Sequence, residues 1–588
     1  MASLMDLGNE ILIMIVDLIQ DTSPNTIPAV ALMNSRFRKL AQYSQHRTVT
    51  LQAGGDMDDR LGFIEKNELL PAVRCVKVMG NAKDPMTLLC LMLPRMTGLR
   101  DFVIQMNCIP RPVLETLRGI PGVRLHARTT RPVPRQPDED FNMYSLQDNP
   151  NLYALDVSID YTSAESCLRI TRPLKRVLLS CPNLRVLKLD IDQPSSGCDI
   201  YSTPAEYCGC GFVEGERLPP LEELILTNYP FGHEPARAIA TSSPSVQTQR
   251  DESDPAAEGE EEEEEEEELF DEDDLNIEVN AIGYPLKGWE TDFWADTFDW
   301  SRLRRLQIGL PEMALRMAPH LTSLQEVEFC RDGGAWQEDT TRAFYAQLPA
   351  SALSSVSVRA LSRIGVSGIA RHGASLRRLR IHRDEDRRRS WRDGAVDAAS
   401  LRAIRDACPG LEELALDAAR GGGRWPRELL DVAASFPRLR ALTLFFELGV
   451  ADGEDPVRPY VTFAAAGELF RYLRSRGRSP ALGRALFVAG CAPGIGFGYP
   501  SPEAFWPEYN SSAFECVVAE RDDELARGAF TVRCTELGEE HNAVLRRVVE
   551  TGENPRELLG IGPGHDLPEA FKVAYEGPTP VSQWDSHY

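Results

Sequence analysis

One phrase recurs along this chain and constrains its fold more than any other feature: (Pro)-x-Leu-x-x-Leu-x-Leu. The clearest copy is Cys181-Pro182-Asn183-Leu184-Arg185-Val186-Leu187-Lys188-Leu189. Residues 218–226, 408–416 and 436–444 repeat it, and weaker copies begin at Leu99, Leu152, Leu303, Leu324, Leu353 and Leu376. The last two leucines of such a phrase leave a short strand on the same side, and the first closes the turn that enters it. One unit alone exposes its apolar edge, whereas stacked units join those edges into a continuous core. From Leu303 onward the copies lie 21, 29, 23, 35 and 28 residues apart, room for a strand and a helix in each. Residues 400–407 and 427–434 read as such helices, apolar along one face.

This irregular period resembles that of leucine-rich repeats. The resemblance implies an α/β solenoid of strand-plus-helix units. The competing reading is a set of unrelated strand-plus-helix units in an ordinary α/β domain, which leaves the recurrence of the phrase unexplained. On a leucine-rich strand the residues between the buried leucines face the concave side, where solenoids hold their ligands. The candidate target-binding residues are therefore Val186, Lys188 and Asp190, then Glu223 and Ile225, then Arg378, Arg380 and His382, and finally Glu413 and Asp417.

Two insertions interrupt the repeats. Residues 128–140 are polar and rich in proline. Residues 234–280 pass into nine consecutive glutamates, Glu260 to Glu268. This second stretch lacks apolar surface to bury and its like charges repel, so disorder is expected. It is either a tolerated loop insertion, the preferred reading, or an acidic lure for a basic partner or an intramolecular mask. Residues 251–274 hold 17 acidic side chains and no basic one, so the net charge of −25 falls to −8 without them. That balance gives no sign of a nucleic-acid surface. Beyond residue 450 the phrase fades. A helix over 462–474, strands over 515–520 and 529–535, and a helix over 539–550 are expected there, forming an α+β cap on the solenoid end.

The first fifty residues carry a second signal. Leu7, Ile11, Leu18 and either Met14 or Ile15 make one helical stripe, and Leu12, Val16 and Ile19 make another. A surface helix needs one apolar face only, so the spare stripe calls for a partner. The opening Leu7-Gly8-Asn9-Glu10-Ile11 and the close Leu32-Met33-Asn34-Ser35-Arg36-Phe37-Arg38 resemble an F-box over roughly residues 4–48. Gly8 departs from the pattern, since the family has proline there and glycine does not enforce that turn. Irregular leucine-rich repeats often follow an F-box in fungal proteins. The resemblance implies a substrate-receptor subunit of an SCF-type cullin–RING ubiquitin ligase. Its Skp-type adaptor would be met by Leu7, Asn9, Glu10, Ile11, Ile15, Leu18, Ile19, Val30, Leu32 and Phe37. The alternatives are a helical hairpin packed on the rest of the chain, and a repeat scaffold outside any ligase.

No catalytic motif stands out. The chain lacks a Gly-x-Ser-x-Gly elbow, a His-Glu-x-x-His pair and a phosphate-binding Gly-x-x-x-x-Gly-Lys-Ser/Thr loop. Gly494, Gly496 and Gly498 do not complete a dinucleotide fingerprint. Thirteen scattered cysteines suit a reducing compartment, and Cys198, Cys208 and Cys210 read as a loop rather than a zinc site. The arginines from Arg377 to Arg392 either bind an acidic or phosphorylated ligand, act through Arg387 to Arg389 as a nuclear-import signal, meet the chain's own polyglutamate run, or form a solvated loop balanced by Asp384, Glu385 and Asp386. No bilayer-spanning stretch or secretory signal is evident. The expected organisation is an F-box-like module over 1–50 and repeats over 51–233. The acidic insertion over 234–280, further repeats over 281–450 and the cap over 451–588 follow. The expected protein is a non-enzymatic binding subunit, cytoplasmic or nuclear, with no cofactor.

Overall fold

Strand positions follow the repeated phrase closely. The computed structural model describes residues 7–23, 26–80, 86–106, 109–129, 142–160, 164–192, 210–227 and 289–330, then 336–383, 385, 391–421, 423–449, 457–476, 482–490, 512–519 and 531–537. The chain divides into two units, residues 1–195 with 201–299, and residues 196–200 with 300–588.

In the first unit three helices come first: α1 (Asn9–Thr22), α2 (Ile27–Met33) and α3 (Ser35–Gln45). Seven strands follow among the described residues: β1 (Thr48–Ala53), β2 (Cys75–Gly80), β3 (Asp101–Gln105), β4 (Arg124–Thr129), β5 (Leu152–Asp160), β6 (Val186–Asp192) and β7 (Glu223–Thr227). Each pairs in parallel with the next. Helices α4 (Met57–Lys66), α5 (Thr87–Met92), α6 (Arg111–Arg118), α7 (Asn142–Leu146) and α8 (Ala164–Ser180) cross between them and pack neighbour on neighbour, and α9 (Trp289–Thr297) closes the unit's chain.

The second unit repeats the scheme. Strands β8 (Arg305–Ile308), β9 (Glu326–Phe329), β10 (Ser355–Val358), β11 (Arg378–Ile381), β12 (Glu413–Asp417), β13 (Ala441–Phe446) and β14 (Arg484–Ala489) are parallel and in chain order. Helices α10 (Pro311–Met317), α11 (Trp336–Gln347), α12 (Gly365–His372), α13 (Ala398–Ala407), α14 (Arg427–Ala434) and α15 (Phe463–Arg476) lie between them. The last two strands, β15 (Ser512–Ala519) and β16 (Thr531–Leu537), turn antiparallel. The chain is thus mixed α/β, with long parallel sheets whose sequential strand order is compatible with a solenoid.

Side-chain and backbone periodicity agree. The leading leucines Leu184, Leu221, Leu411 and Leu439 are buried, as are the strand pairs Leu187 and Leu189, Leu224 and Leu226, Leu414 and Leu416, and Leu442 and Leu444. After several of these leucines, and after Leu376, the next residue has a carbonyl that accepts two successive N–H groups entering the next strand. Arg185 O takes Glu222 and Glu223, Arg377 O takes Glu412 and Glu413, and Glu412 O takes Arg440 and Ala441. Arg440 O does the same for Gly483 and Arg484. One further unit therefore lies past residue 450, where Leu482-Gly483-Arg484-Ala485-Leu486-Phe487 keeps the geometry with Ala and Phe in the leucine places. Strands β1, β2 and β4 were likewise invisible to a leucine pattern, because Val49, Val76, Val78 and Ala127 fill their inward positions.

The expected helix over 462–474 is α15, and the two expected C-terminal strands are β15 and β16. The helix expected over 539–550 and the acidic insertion lie outside the described residues, as does the proline-rich insertion apart from its first two residues.

Candidate functional site

The N-terminal helices sort their apolar residues into two sets. Leu12, Val16, Ile27, Val30, Phe37, Leu40 and Ala41 form a small core, with Ile13, Ile15, Ile19 and Ala31 packed half-buried against it. Leu7, Ile11, Met14, Leu18, Leu32 and Met33 are left between 37% and 78% exposed. Val30 and Phe37 are thus interior residues of the module and not contact residues, a correction to the expectation. Phe37 sits one turn into α3 and Val30 on the inner side of α2, where burial in the module outcompetes presentation to a partner. Asn9 and Glu10 are exposed beside this apolar surface. Of the two residues that the stripe left open, Met14 is the exposed one and Ile15 packs on the core, whereas Met33, at the end of α2, was not singled out by the sequence.

Polar contacts fix this geometry. Asn34 caps α3 by accepting the Phe37 N–H at 2.9 Å. Arg36 donates to Asn9 Oδ1 at 2.9 Å and to the Leu7 carbonyl at 2.7 Å. The opening and closing halves of the motif are therefore bonded to each other, and Leu7 and Ile11 lie at the same end of the module as Leu32 and Met33. Gly8 takes φ −61° and ψ 156°, close to the φ that proline imposes, so the turn forms without it. Asp17, the charge that interrupts the apolar run, accepts from Ser44 Oγ at 2.6 Å and faces Arg47.

The open faces of the sheets hold the second candidate surface. In the first unit Val186, Lys188, Asp190 and Glu223 are half-buried, and Lys188 Nζ lies 3.9 Å from Glu223. Ile225 is buried rather than presented, so it leaves the candidate set. On β3 and β4, Asp101 accepts from Arg124 and lies 3.0 Å from His126 Nε2. Burial pushes the Asp101 carboxyl up, but the contacts with Arg124 and His126 outweigh it and hold the group below its ordinary range.

In the second unit Arg378, Arg380 and Glu413 are exposed and share a hollow of about 420 Å³ with Ala415, Thr443 and Arg484. Arg378 pairs with Glu326 and Arg484 with Glu515. Asp417 is fully buried and the His382 side chain nearly so, which overturns their expected place on the accessible face. His382 Nδ1 lies 2.6 Å from Asp417 Oδ1, and the Arg383 N–H donates to Asp417 Oδ2 at 3.0 Å. The His382 ring stacks on Phe445 with centroids 3.5 Å apart and planes 14° from parallel. Burial pushes the Asp417 carboxyl up against the pull of those hydrogen bonds. Phe445 went unrecognised, although continuing the alternation Ala441, Thr443, Phe445 along the fourth clear copy would have placed it on this face.

Arg387 to Arg389, Cys198, Cys208 and the glycines Gly494 to Gly498 lie outside the described residues. Among the described residues no cluster of His, Cys, Asp and Glu has the arrangement of a metal site, and no helix is long and apolar enough to cross a membrane. No protein-family model matches the chain, and a comparison with curated proteins finds none similar to it.

Proposed function

We propose that this chain is the substrate-recognition subunit of an SCF-type cullin–RING ligase. Helices α1 to α3 would dock the Skp-type adaptor as an F-box, and the strand faces would act as a leucine-rich-repeat surface that holds a target protein. The chain would supply no nucleophile and would act by positioning the target near the ubiquitin-loaded enzyme. The observation that carries this reading is the outer apolar stripe of the N-terminal module. Leu7, Ile11, Met14, Leu18, Leu32 and Met33 are each exposed on a module that already has its own core, and exposed large apolar side chains in such number favour an interaction surface.

The test uses the full chain. Ile11→Asp, Met14→Asp and Leu18→Asp are combined in one variant, and co-purification with the Skp-type adaptor is compared with the unmodified chain. These side chains lie outside the core, so the melting temperature should hold while adaptor retention falls at least about tenfold. A folded, unmodified chain that does not retain the adaptor defeats the reading, and the repeat scaffold outside any ligase then takes its place.

A further inference from the structure

Arg380 differs from the other arginines of its hollow. Arg378 is paired with Glu326 and Arg484 with Glu515, but Arg380 makes no ion pair among the described residues. Its guanidinium instead sits 5.1 Å from the centre of the Phe445 ring. Phe445 projects from β13 and reaches β11 across β12, which puts only the small Ala415 beside Arg380. The ring is held in turn by its stack on His382, and His382 is held by the buried Asp417. A buried carboxylate thus orients an imidazole, the imidazole orients a phenyl ring, and the ring carries a guanidinium at the hollow's edge. Ala415, Ala441 and Thr443 line the hollow with small side chains, and the space is about 420 Å³. An arginine oriented in advance, with donors unspent on any carboxylate among the described residues, matches an oxyanion in forked geometry.

We propose that this hollow is a subsite for one oxyanion-bearing side chain, a phosphorylated residue or a carboxylate, presented by a segment of the target protein. This rests on the reading of the strand face as the target-holding surface. Glu413 and Glu328 line the same hollow, both without an ion pair among the described residues. They oppose a free inorganic dianion and suit an anion carried on a peptide, whose N–H or basic groups reach the glutamates. Arg380 would be the contact residue, and Phe445, His382 and Asp417 the residues that position it.

Three immobilised degenerate peptide sets test this, alike except for a fixed central serine, phosphoserine or glutamate. The full chain should retain the phosphoserine or the glutamate set at least about tenfold better than the serine set, and the set retained identifies the source of the anion. Arg380→Ala should abolish the preference and Arg380→Lys should keep part of it, since the charge remains and the fork is lost. Phe445→Leu should weaken the preference several-fold. Equal retention of the three sets by the unmodified chain overturns the proposal, and so does a preference that survives Arg380→Ala. Adaptor co-purification of the same proteins keeps the two readings apart. Loss of the preference with the adaptor retained counts against the subsite alone, and preference without adaptor counts against the ligase alone.

Discussion

At the residue scale the most consequential side chains are polar ones placed where the repeat pattern expects exposure or leucine. Asp417 occupies an alternating outward position of β12 yet is fully buried, because Phe445 and His382 close over it. His372 ends α12 fully buried. Burial, with Arg371 beside it, holds its imidazole below the ordinary value of 6.5. The unfolded chain takes up that proton near pH 6.5 while the folded one resists it. The stability involved is therefore present above that pH and lost as the pH falls toward the lowered folded value. The melting temperature should drop more between about pH 7.5 and about pH 5.5 in the unmodified chain than in His372→Leu. Equal drops in differential scanning fluorimetry would show that another group dominates the acid sensitivity.

At the element scale the repeat strands are stabilised by inward side chains and, in many of them, by a shared carbonyl at the strand entry. Leu187 on β6 is fully buried, and its neighbour Lys188 faces out. Leu187→Ala should lower the free energy of unfolding by about 2–5 kcal/mol, since it leaves a cavity in a packed core. Lys188→Ala should cost under about 1 kcal/mol, because a surface ion pair contributes little. Urea titrations that give the two variants similar midpoints would refute the inward and outward assignment. This alternation was legible wherever both inward positions were leucine, as in β6, β12 and β13. It was illegible in β1, β2, β4 and β14, where valine, alanine or phenylalanine meets the same packing need. Stacking asks for an apolar side chain that fits its neighbours, which leucine often but not always supplies.

At the scale of the whole molecule the acidic insertion dominates net charge. Residues 251–274 carry 17 acidic groups, on the stretch of chain between β7, which ends at Thr227, and α9, which begins at Trp289. Loop length alters stability slowly. Deleting residues 234–280 should thus leave the melting temperature within a few degrees, about 1 kcal/mol or less in stability, and adaptor retention unchanged. A melting temperature lowered well beyond that, or an adaptor signal that changes on deletion, would assign the acidic run a role in fold or docking.

Properties set by local periodicity were decided by the sequence alone. The two apolar stripes of α1, the strand starts two residues into each clear Leu-x-x-Leu-x-Leu phrase and the charge run of Glu260 to Glu268 all follow from residues a few positions apart. Availability of a side chain was decided only by the tertiary structure. Val30, Phe37, Ile225 and Asp417 each sit where a one-dimensional pattern permits exposure, and each is covered by a neighbouring element or strand. The physical reason is that a helix or strand repeat specifies which way a side chain points, whereas what stands opposite depends on residues from other elements, such as Phe445 reaching across Ala415 to Arg380.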